Sequence, residues 1–156
     1  MIRSLITFTC VMLFAITANA DELERSRIDL EAKKKVAISN AMVLSADQSD
    51  KFWDVYSDYE RDSGRLTRQG FTLIREYSDK YKNNTITEES AASLIEAYFE
   101  LEAHKVQLKR DYLPKFSEFL PAKKVFHFYQ IDNKIDSLIR CDIAKKLPLI
   151  EPDMEF

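Results

Sequence analysis

Glycine and proline are scarce in this chain, with two and four residues among 156. Proteins built from sheets use both residues in their many tight turns, so the scarcity argues against an all-β fold. A chain of this length fits one domain with a modest core. The composition therefore predicts an all-α protein.

Cysteine is also rare, and only Cys10 and Cys141 occur. Because Cys10 falls in the export signal described below, Cys141 would stay alone and no disulfide could form within the mature chain. An odd thiol in an oxidising compartment is either buried or available to another chain. The position of Cys141 between Ile139 and Ile143, in a helical pattern, favours a half-buried side chain.

No charge of one sign dominates. Lysine and arginine number 23, aspartate and glutamate 26, and the net charge is −3. This balance argues against nucleic acid as a partner.

The first twenty residues resemble a secretory signal. Arg3 gives a positive end, residues 5–16 are largely apolar, and Ala18-Asn19-Ala20 has the small residues of a cleavage site. The apolar run is too short for a stable membrane span. We expect a signal peptide cleaved after Ala20 and an exported protein, with one helical domain over 21–147 and an extended tail over 148–156.

Four helices are predicted from apolar spacing and from start and stop signals. A highly charged first helix covers 22–43. The second covers 46–82, because Ser45 and Gln48 make a capping box and apolar residues then follow in steps of four and three until Asn83. Ser63-Gly64 and Gly70 predict a bend within it.

Thr87 is expected to cap the third helix, and Pro114 is expected to kink or restart it near Leu113. The short connection between the second and third helices makes them antiparallel neighbours. Pro121 suits the first position of a fourth helix over 121–145.

The start of the second helix has an echo seventy-six residues later. Leu44-Ser45-Ala46-Asp47-Gln48 precedes the pair Phe52-Trp53, and Leu120-Pro121-Ala122-Lys123-Lys124 precedes the pair Phe128-Tyr129. Each copy stands where a helix is predicted to begin.

The chain resembles the Spy/CpxP family of periplasmic proteins, which carry two Leu-Thr-x-x-Gln motifs. The first motif matches with serine for threonine, which keeps the capping hydroxyl, whereas the second keeps only its leucine. The segment 128–134 and Leu147-Pro148-Leu149-Ile150 are similar to exported relatives of that family. Residues carried over from the family's motifs are expected to lock the hairpins together; they are Leu44, Ser45, Gln48, Leu120 and Pro121.

The resemblance implies a periplasmic protein made of two bent antiparallel hairpins, assembled as a cradle-shaped homodimer. It also implies ATP-independent binding of unfolded or misfolded envelope proteins, or restraint of an envelope-stress sensor kinase through its periplasmic domain. Some relatives bind metal ions as sensors. A metal sensor and a purely structural helical assembly remain the alternative functions.

The sequence shows no combination of a nucleophile, an acid and a base that would indicate catalysis, so neither an enzyme nor a cofactor is expected. His104 and His127 lie on different predicted helices. Glu100 stands one turn before His104 and could share a metal ion with it, since histidine and carboxylate four residues apart face the same way. Glu100, His104 and His127 are therefore the candidates for a metal site.

Two further predictions concern side chains of the helical seams. Asp132 interrupts an apolar stripe and should meet a donor, with Lys105 and Lys134 as candidates, because an unpaired buried carboxylate is costly. Aromatic residues on a concave face could also contact unfolded clients. The candidates for that surface are Trp53, Tyr56, Tyr59, Tyr98, Phe99 and Tyr112.

Overall fold

The computed structural model describes Asp29 and residues 32–150. Its secondary structure there is helical throughout and includes no strand: α1 covers residues 32–41, α2 Ala46–Lys82, α3 Glu88–Ser117 and α4 Ala122–Ala144. The prediction of an all-α fold with four helices is confirmed. The predicted signal peptide, residues 22–28 of the predicted first helix and the end of the tail after Ile150 lie outside the described residues.

Two compact units divide the chain, Met1–Met42 and Val43–Phe156. The described part of the first unit is essentially α1, on which Ile38 is fully buried and Val36 is exposed. The second unit contains α2, α3 and α4.

The helix starts follow the predicted capping chemistry. Ser45 caps α2 and Thr87 caps α3, and the start of each helix has a complete capping box, closed by Gln48 in the first case and by Ser90 in the second. Each box satisfies backbone N–H groups that a helix start would otherwise leave without partners. The predicted bounds of α2 are confirmed at both ends.

Two details of the prolines differ from expectation. Pro121 is the N-cap of α4 rather than its first helical residue, and its side chain makes no capping hydrogen bond. Helix α3 continues through Pro114 to Ser117, and the backbone N–H of Glu118 still bonds to the Pro114 carbonyl. The predicted restart near Leu113 is therefore wrong, and the alternative of a kink stays a prediction. A proline this close to the end of a helix leaves only one further turn to be supported.

Helices α2 and α3 form a long antiparallel hairpin. Asn84 turns the chain with a positive φ of 51°, a conformation that asparagine tolerates better than most residues. Further along, Gly70 lets the helices approach closely, since a Cβ atom there would lie 3.3 Å from Leu101 Cδ2. Helix α2 is unbroken through Gly64 and Gly70.

Helix α4 runs antiparallel to α3 and parallel to α2. Its Arg140 bonds to Glu102 of α3 at 3.2 Å, whereas its Phe128 lies against Phe116 near the other end of α3, with ring centroids 4.6 Å apart. Phe128 also meets Phe52 of α2 at 5.5 Å. The three helices therefore enclose one shared core.

That core lies at one end of the unit, here named the closed end and defined by the aromatic residues that all three helices bury. Ring centroids there lie between 4.6 and 6.5 Å apart, within the range of favourable aromatic pairs. These residues are Phe52, Tyr56, Tyr59, Tyr112, Phe116 and Phe128.

The other end, named the tip and defined as residues 66–100, is built from α2 and α3 alone. Ile86 is its one buried residue, and its other large apolar side chains are half-buried or exposed. Because Tyr59 of α2 faces Asp132 of α4 and both helices rise about 1.5 Å per residue, α4 stops near the level of residue 71. The tip therefore lacks a third helix.

Across residues 32–150, each helix is too short or too polar to cross a membrane.

Candidate functional site

The first motif and its echo meet in the fold. The backbone N–H of Gln48 donates to Ser45 Oγ at 3.4 Å, and the backbone N–H of Ser45 donates to Gln48 Oε1 at 3.3 Å. The same Oε1 accepts from Lys124 Nζ at 2.7 Å. Gln48 therefore closes the start of α2 and ties it to the start of α4.

Residues at equivalent positions of the motif and of its echo contact each other. Lys124 stands seventy-six residues after Gln48, and Phe128 stands the same distance after Phe52; both pairs touch. Leu120 is buried and Leu44 is half-buried, whereas Pro121 is exposed. The lysine that departs from the family pattern supplies the donor for this contact, which the sequence comparison of the motifs did not predict.

A buried polar group links the three helices inside the closed end. Asp132 is fully buried on α4, and its Oδ2 accepts from Tyr59 Oη of α2 at 2.9 Å and from Lys109 Nζ of α3 at 3.0 Å. Lys109 also donates to Asn133 and reaches Asp136 at 3.3 Å. The carboxylate is thus compensated by one phenol and one ammonium group from separate helices.

The prediction that Asp132 is paired is confirmed, but the predicted partners are wrong. Lys105 bonds to Glu102 on its own helix at 2.7 Å, and Lys134 is exposed on the far side of α4. Lys109 takes the role because it lies one turn beyond Lys105, at the level where α3 passes Asp132. The spacing of apolar residues predicted that Asp132 is buried. It did not show which residue of α3 lies at the same level along the helix axes.

Three of the six proposed client-binding aromatics are core residues, so their assignment to a binding surface is wrong. Tyr56 and Tyr59 are each 1% exposed and Tyr112 is 3% exposed. Trp53 is half-buried, and its ring packs edge-on against Phe52 at 5.1 Å. Tyr98 and Phe99 are the two that lie open to solvent.

The buried phenols are hydrogen-bond donors rather than acid–base groups. Burial raises the pKa of Tyr59 far above its usual range, and the nearby carboxylate of Asp132 adds to the effect. Burial likewise raises the pKa of Tyr56, with Glu60 as the next cause. Both phenols therefore stay protonated at neutral pH, which suits a structural role.

Tyr112 donates a hydrogen bond to Asp62 Oδ2 at 2.7 Å between α3 and α2. Burial, followed by this bond to Asp62, raises the pKa of Tyr112 to about 12. In turn the hydrogen bond from Tyr112, more than the neighbouring Arg65 and Arg61, lowers the pKa of Asp62. The pair joins the two long helices at the edge of the closed end.

An exposed apolar face runs along α3 and is named the α3 stripe; it consists of Ile95, Phe99, Val106 and Leu113. These side chains are between 46 and 60% exposed. Steps of four and seven place them on one helix face over about 27 Å, and Tyr98 lies beside Phe99 with ring centroids 5.7 Å apart. An apolar row of this length is typical of a surface that contacts other molecules.

The α3 stripe was only partly foreseen. Phe99 was predicted to belong to the client surface and Leu113 to lie at a proline kink, whereas nothing was predicted for Ile95 or Val106. Their seven-residue spacing was visible in the sequence, but spacing alone does not tell which of two apolar faces a neighbouring helix covers.

The metal candidates do not converge. Glu100 and His104 are exposed on α3, and His127 is exposed on α4. Over the described part of the chain no group of three histidine, cysteine or acidic side chains could hold a metal ion. Cys141 is exposed, so its predicted partial burial is wrong: Ile139 and Ile143 are half-buried, and Cys141 lies between them on the opposite face of α4.

No family model, no curated protein and no solved structure matches this chain.

Proposed function

We propose that the protein is an exported, ATP-independent chaperone that binds apolar segments of unfolded envelope proteins through the α3 stripe. One observation carries the proposal: a row of apolar side chains stays open to solvent on α3, although the same helix buries Leu101, Tyr112 and Phe116 on its other side. A fold that can bury its aromatics at the closed end has no stability reason to display Phe99 and Val106.

The surroundings of the α3 stripe suit weak binding to varied partners. Glu96 and Glu100 lie exposed beside it, and Arg110 lies exposed between Val106 and Leu113. Mixed charge around the apolar residues keeps the surface hydrated and limits self-aggregation. Contact between the apolar row and an exposed hydrophobic segment of a client still buries apolar surface and so favours binding. The resemblance to the Spy/CpxP family, carried by Leu44, Ser45 and Gln48, supports the same function.

The resemblance also supports a periplasmic location, a homodimer and, as an alternative client, the periplasmic domain of a sensor kinase. Sedimentation velocity on the mature chain tests the dimer. Binding to a purified sensor domain tests the signalling role separately from chaperone activity.

The test of the chaperone function compares two double variants of matched chemistry. Phe99→Ser with Val106→Ser removes the centre of the α3 stripe, whereas Phe126→Ser with Leu138→Ser removes two comparably exposed residues of α4. We expect the wild type and the α4 variant to delay the aggregation of several unrelated unfolded proteins, measured by light scattering. The α3 variant should need several-fold more protein for the same delay.

Equal protection by both variants would remove the α3 stripe from the proposal. Failure of the wild type to protect any of the unfolded proteins would overturn the chaperone function itself.

A further inference from the structure

The face of α2 that forms the core continues beyond the closed end, where α3 still packs against it at Gly70 but α4 no longer reaches it. Leu66, Leu73, Tyr77 and Tyr81 follow Tyr59 at steps of seven, seven, four and four, so they lie on the same face. Tyr59 is buried under α4, but these four residues are only half-buried. The four are named the tip seam.

The chain that follows α4 lies on this face. Tyr77 Oη donates to the Pro148 carbonyl at 2.6 Å. The two residues are 71 positions apart, close to the separation of 73 that joins Tyr59 to Asp132, so the segment continues along the line of α4. Residues 147–150, Leu-Pro-Leu-Ile, have no regular secondary structure and are named the strap.

The strap has the chemistry of an unfolded apolar segment. It is uncharged, it carries three large aliphatic side chains, and its proline prevents it from extending α4. Leu147 is half-buried and Ile150 is 44% exposed, whereas Leu149 is 84% exposed. Leu147 and Ile150 are therefore the more covered pair, and Leu149 is directed to solvent.

A backbone carbonyl is the acceptor that Tyr77 uses, and every peptide offers one at each residue. The contact therefore recognises an extended chain without reading its sequence, while Leu73 and Tyr81 offer apolar area on either side. This combination of one main-chain hydrogen bond and adaptable apolar contact suits any extended hydrophobic peptide.

We propose that the tip seam is a second binding surface, for extended apolar chain segments, and that the strap occupies it until an unfolded client displaces it. The inference rests on the proposed chaperone function for the nature of the client, but the surface and its internal occupant rest on the Tyr77 contact. A surface covered part of the time binds an added ligand more weakly, in proportion to the fraction that is uncovered.

The test uses the full mature chain and a fluorescent synthetic peptide with the sequence of residues 145–150, followed by fluorescence anisotropy. Leu147→Ser with Ile150→Ser should release the strap and raise the affinity for the peptide at least fivefold over wild type. Leu149→Ser removes an equally apolar but exposed side chain from the same segment and should leave the affinity unchanged.

A second comparison locates the site. In the strap-released background, Tyr77→Phe should weaken peptide binding about fivefold, as the loss of one hydrogen bond implies. Tyr81→Phe removes a phenol one turn further along the same face and should have little effect.

Each outcome decides one of the two proposals. Peptide affinity that is equal in the wild type and the strap-released protein, or unaffected by Tyr77→Phe, would overturn the strap even if aggregation assays succeed. Peptide binding that follows the expected pattern, in a protein that protects no unfolded client, would keep the surface and overturn the chaperone function.

Discussion

The closed end and the tip are two halves of one helical unit that bury their apolar residues very differently. At the closed end three helices surround Phe52, Phe116 and Phe128, which are 0% exposed. At the tip two helices carry apolar residues at the same spacing, yet only Ile86 is buried. The difference follows from the length of α4, which ends at Ala144. Stability is concentrated where the third helix lies, and the apolar face that α2 turns to the core is only half-buried where it does not.

The largest expected effect contrasts two phenylalanines of α4. Phe128→Ala should lower the free energy of unfolding by about 3–5 kcal/mol, because it opens a cavity among five aromatic neighbours. Phe126→Ala, two residues earlier and 65% exposed, should change it by less than about 0.5 kcal/mol. Urea denaturation followed by circular dichroism measures both, and similar losses would contradict the boundary drawn around the closed end.

The next effect concerns the buried charge. Lys109→Met should cost about 2 kcal/mol, since it removes the ammonium group that compensates Asp132 while Lys109 itself is 27% exposed. The double variant Lys109→Met with Asp132→Leu should regain part of that loss, because no buried charge then remains. Lys105→Met, one turn away, serves as the control and should cost little. A double variant as unstable as the sum of its single changes would show that the pair is not coupled.

A smaller effect, about 1.5 kcal/mol, is expected for Tyr112→Phe, which removes the hydrogen bond to Asp62 between α2 and α3. Tyr98→Phe removes an exposed hydroxyl from the same helix and should leave the free energy of unfolding unchanged.

Tyr112→Phe should also change how stability depends on pH. The pKa of Asp62 is lowered in the folded state, so its contribution is present above its unfolded pKa near 4 and is lost as the pH falls below that value. The pKa of Tyr112 is raised to about 12, so its contribution is present below about pH 10 and is lost as the pH rises from there towards 12. Denaturation at pH 3, 7 and 11 should therefore separate wild type from the variant most clearly at pH 7.

The smallest expected effect compares the helix caps. Ser45→Ala and Thr87→Ala should each cost about 1 kcal/mol, because each removes the acceptor of one capping hydrogen bond. Ser45 lies at the closed end, where Gln48 also bonds to Lys124, whereas Thr87 lies at the tip. We expect hydrogen exchange to rise locally at the tip in the Thr87 variant and across α2 and α4 in the Ser45 variant; a purely local response to both would contradict the role of Gln48 in joining the helices.

The sequence was most informative where the cause of structure is local. The capping box of α2, the cap of α3 by Thr87, the bounds of α2 and the antiparallel α2–α3 hairpin depend on residues within a few positions of each other, and all were predicted; the part of Ser90 in the α3 box was not. Asp132 was predicted to be paired because burying a free carboxylate is costly. The identity of its partner depends on the axial position of α3 relative to α4, and a difference of one turn would place Lys105 instead of Lys109 beside Asp132.

The candidate site was less predictable because helical spacing gives two apolar faces without saying which is covered. Tyr56, Tyr59 and Tyr112 lie on covered faces and Ile95, Val106 and Leu113 on an open one, although both sets have similar spacing. The choice is made by the side of α3 against which α2 and α4 pack, since α4 runs alongside residues 102–116 and Val106 and Leu113 are nevertheless exposed. The position of the neighbouring helices produces no periodic signal in α2 or α3.

The antiparallel pairing of α2 and α3 also has a consequence for the order in which the protein folds. Contacts between these helices join residues 31 positions apart at Gly70 and Leu101, and 50 apart at Asp62 and Tyr112, whereas Tyr59 and Asp132 are 73 apart. Closing shorter loops costs less chain entropy and is faster, so the hairpin is expected to zip from the Asn84 turn towards its open ends. The docking of α4 would then be the late step of folding, and φ-values should be higher for Leu101 than for Phe128.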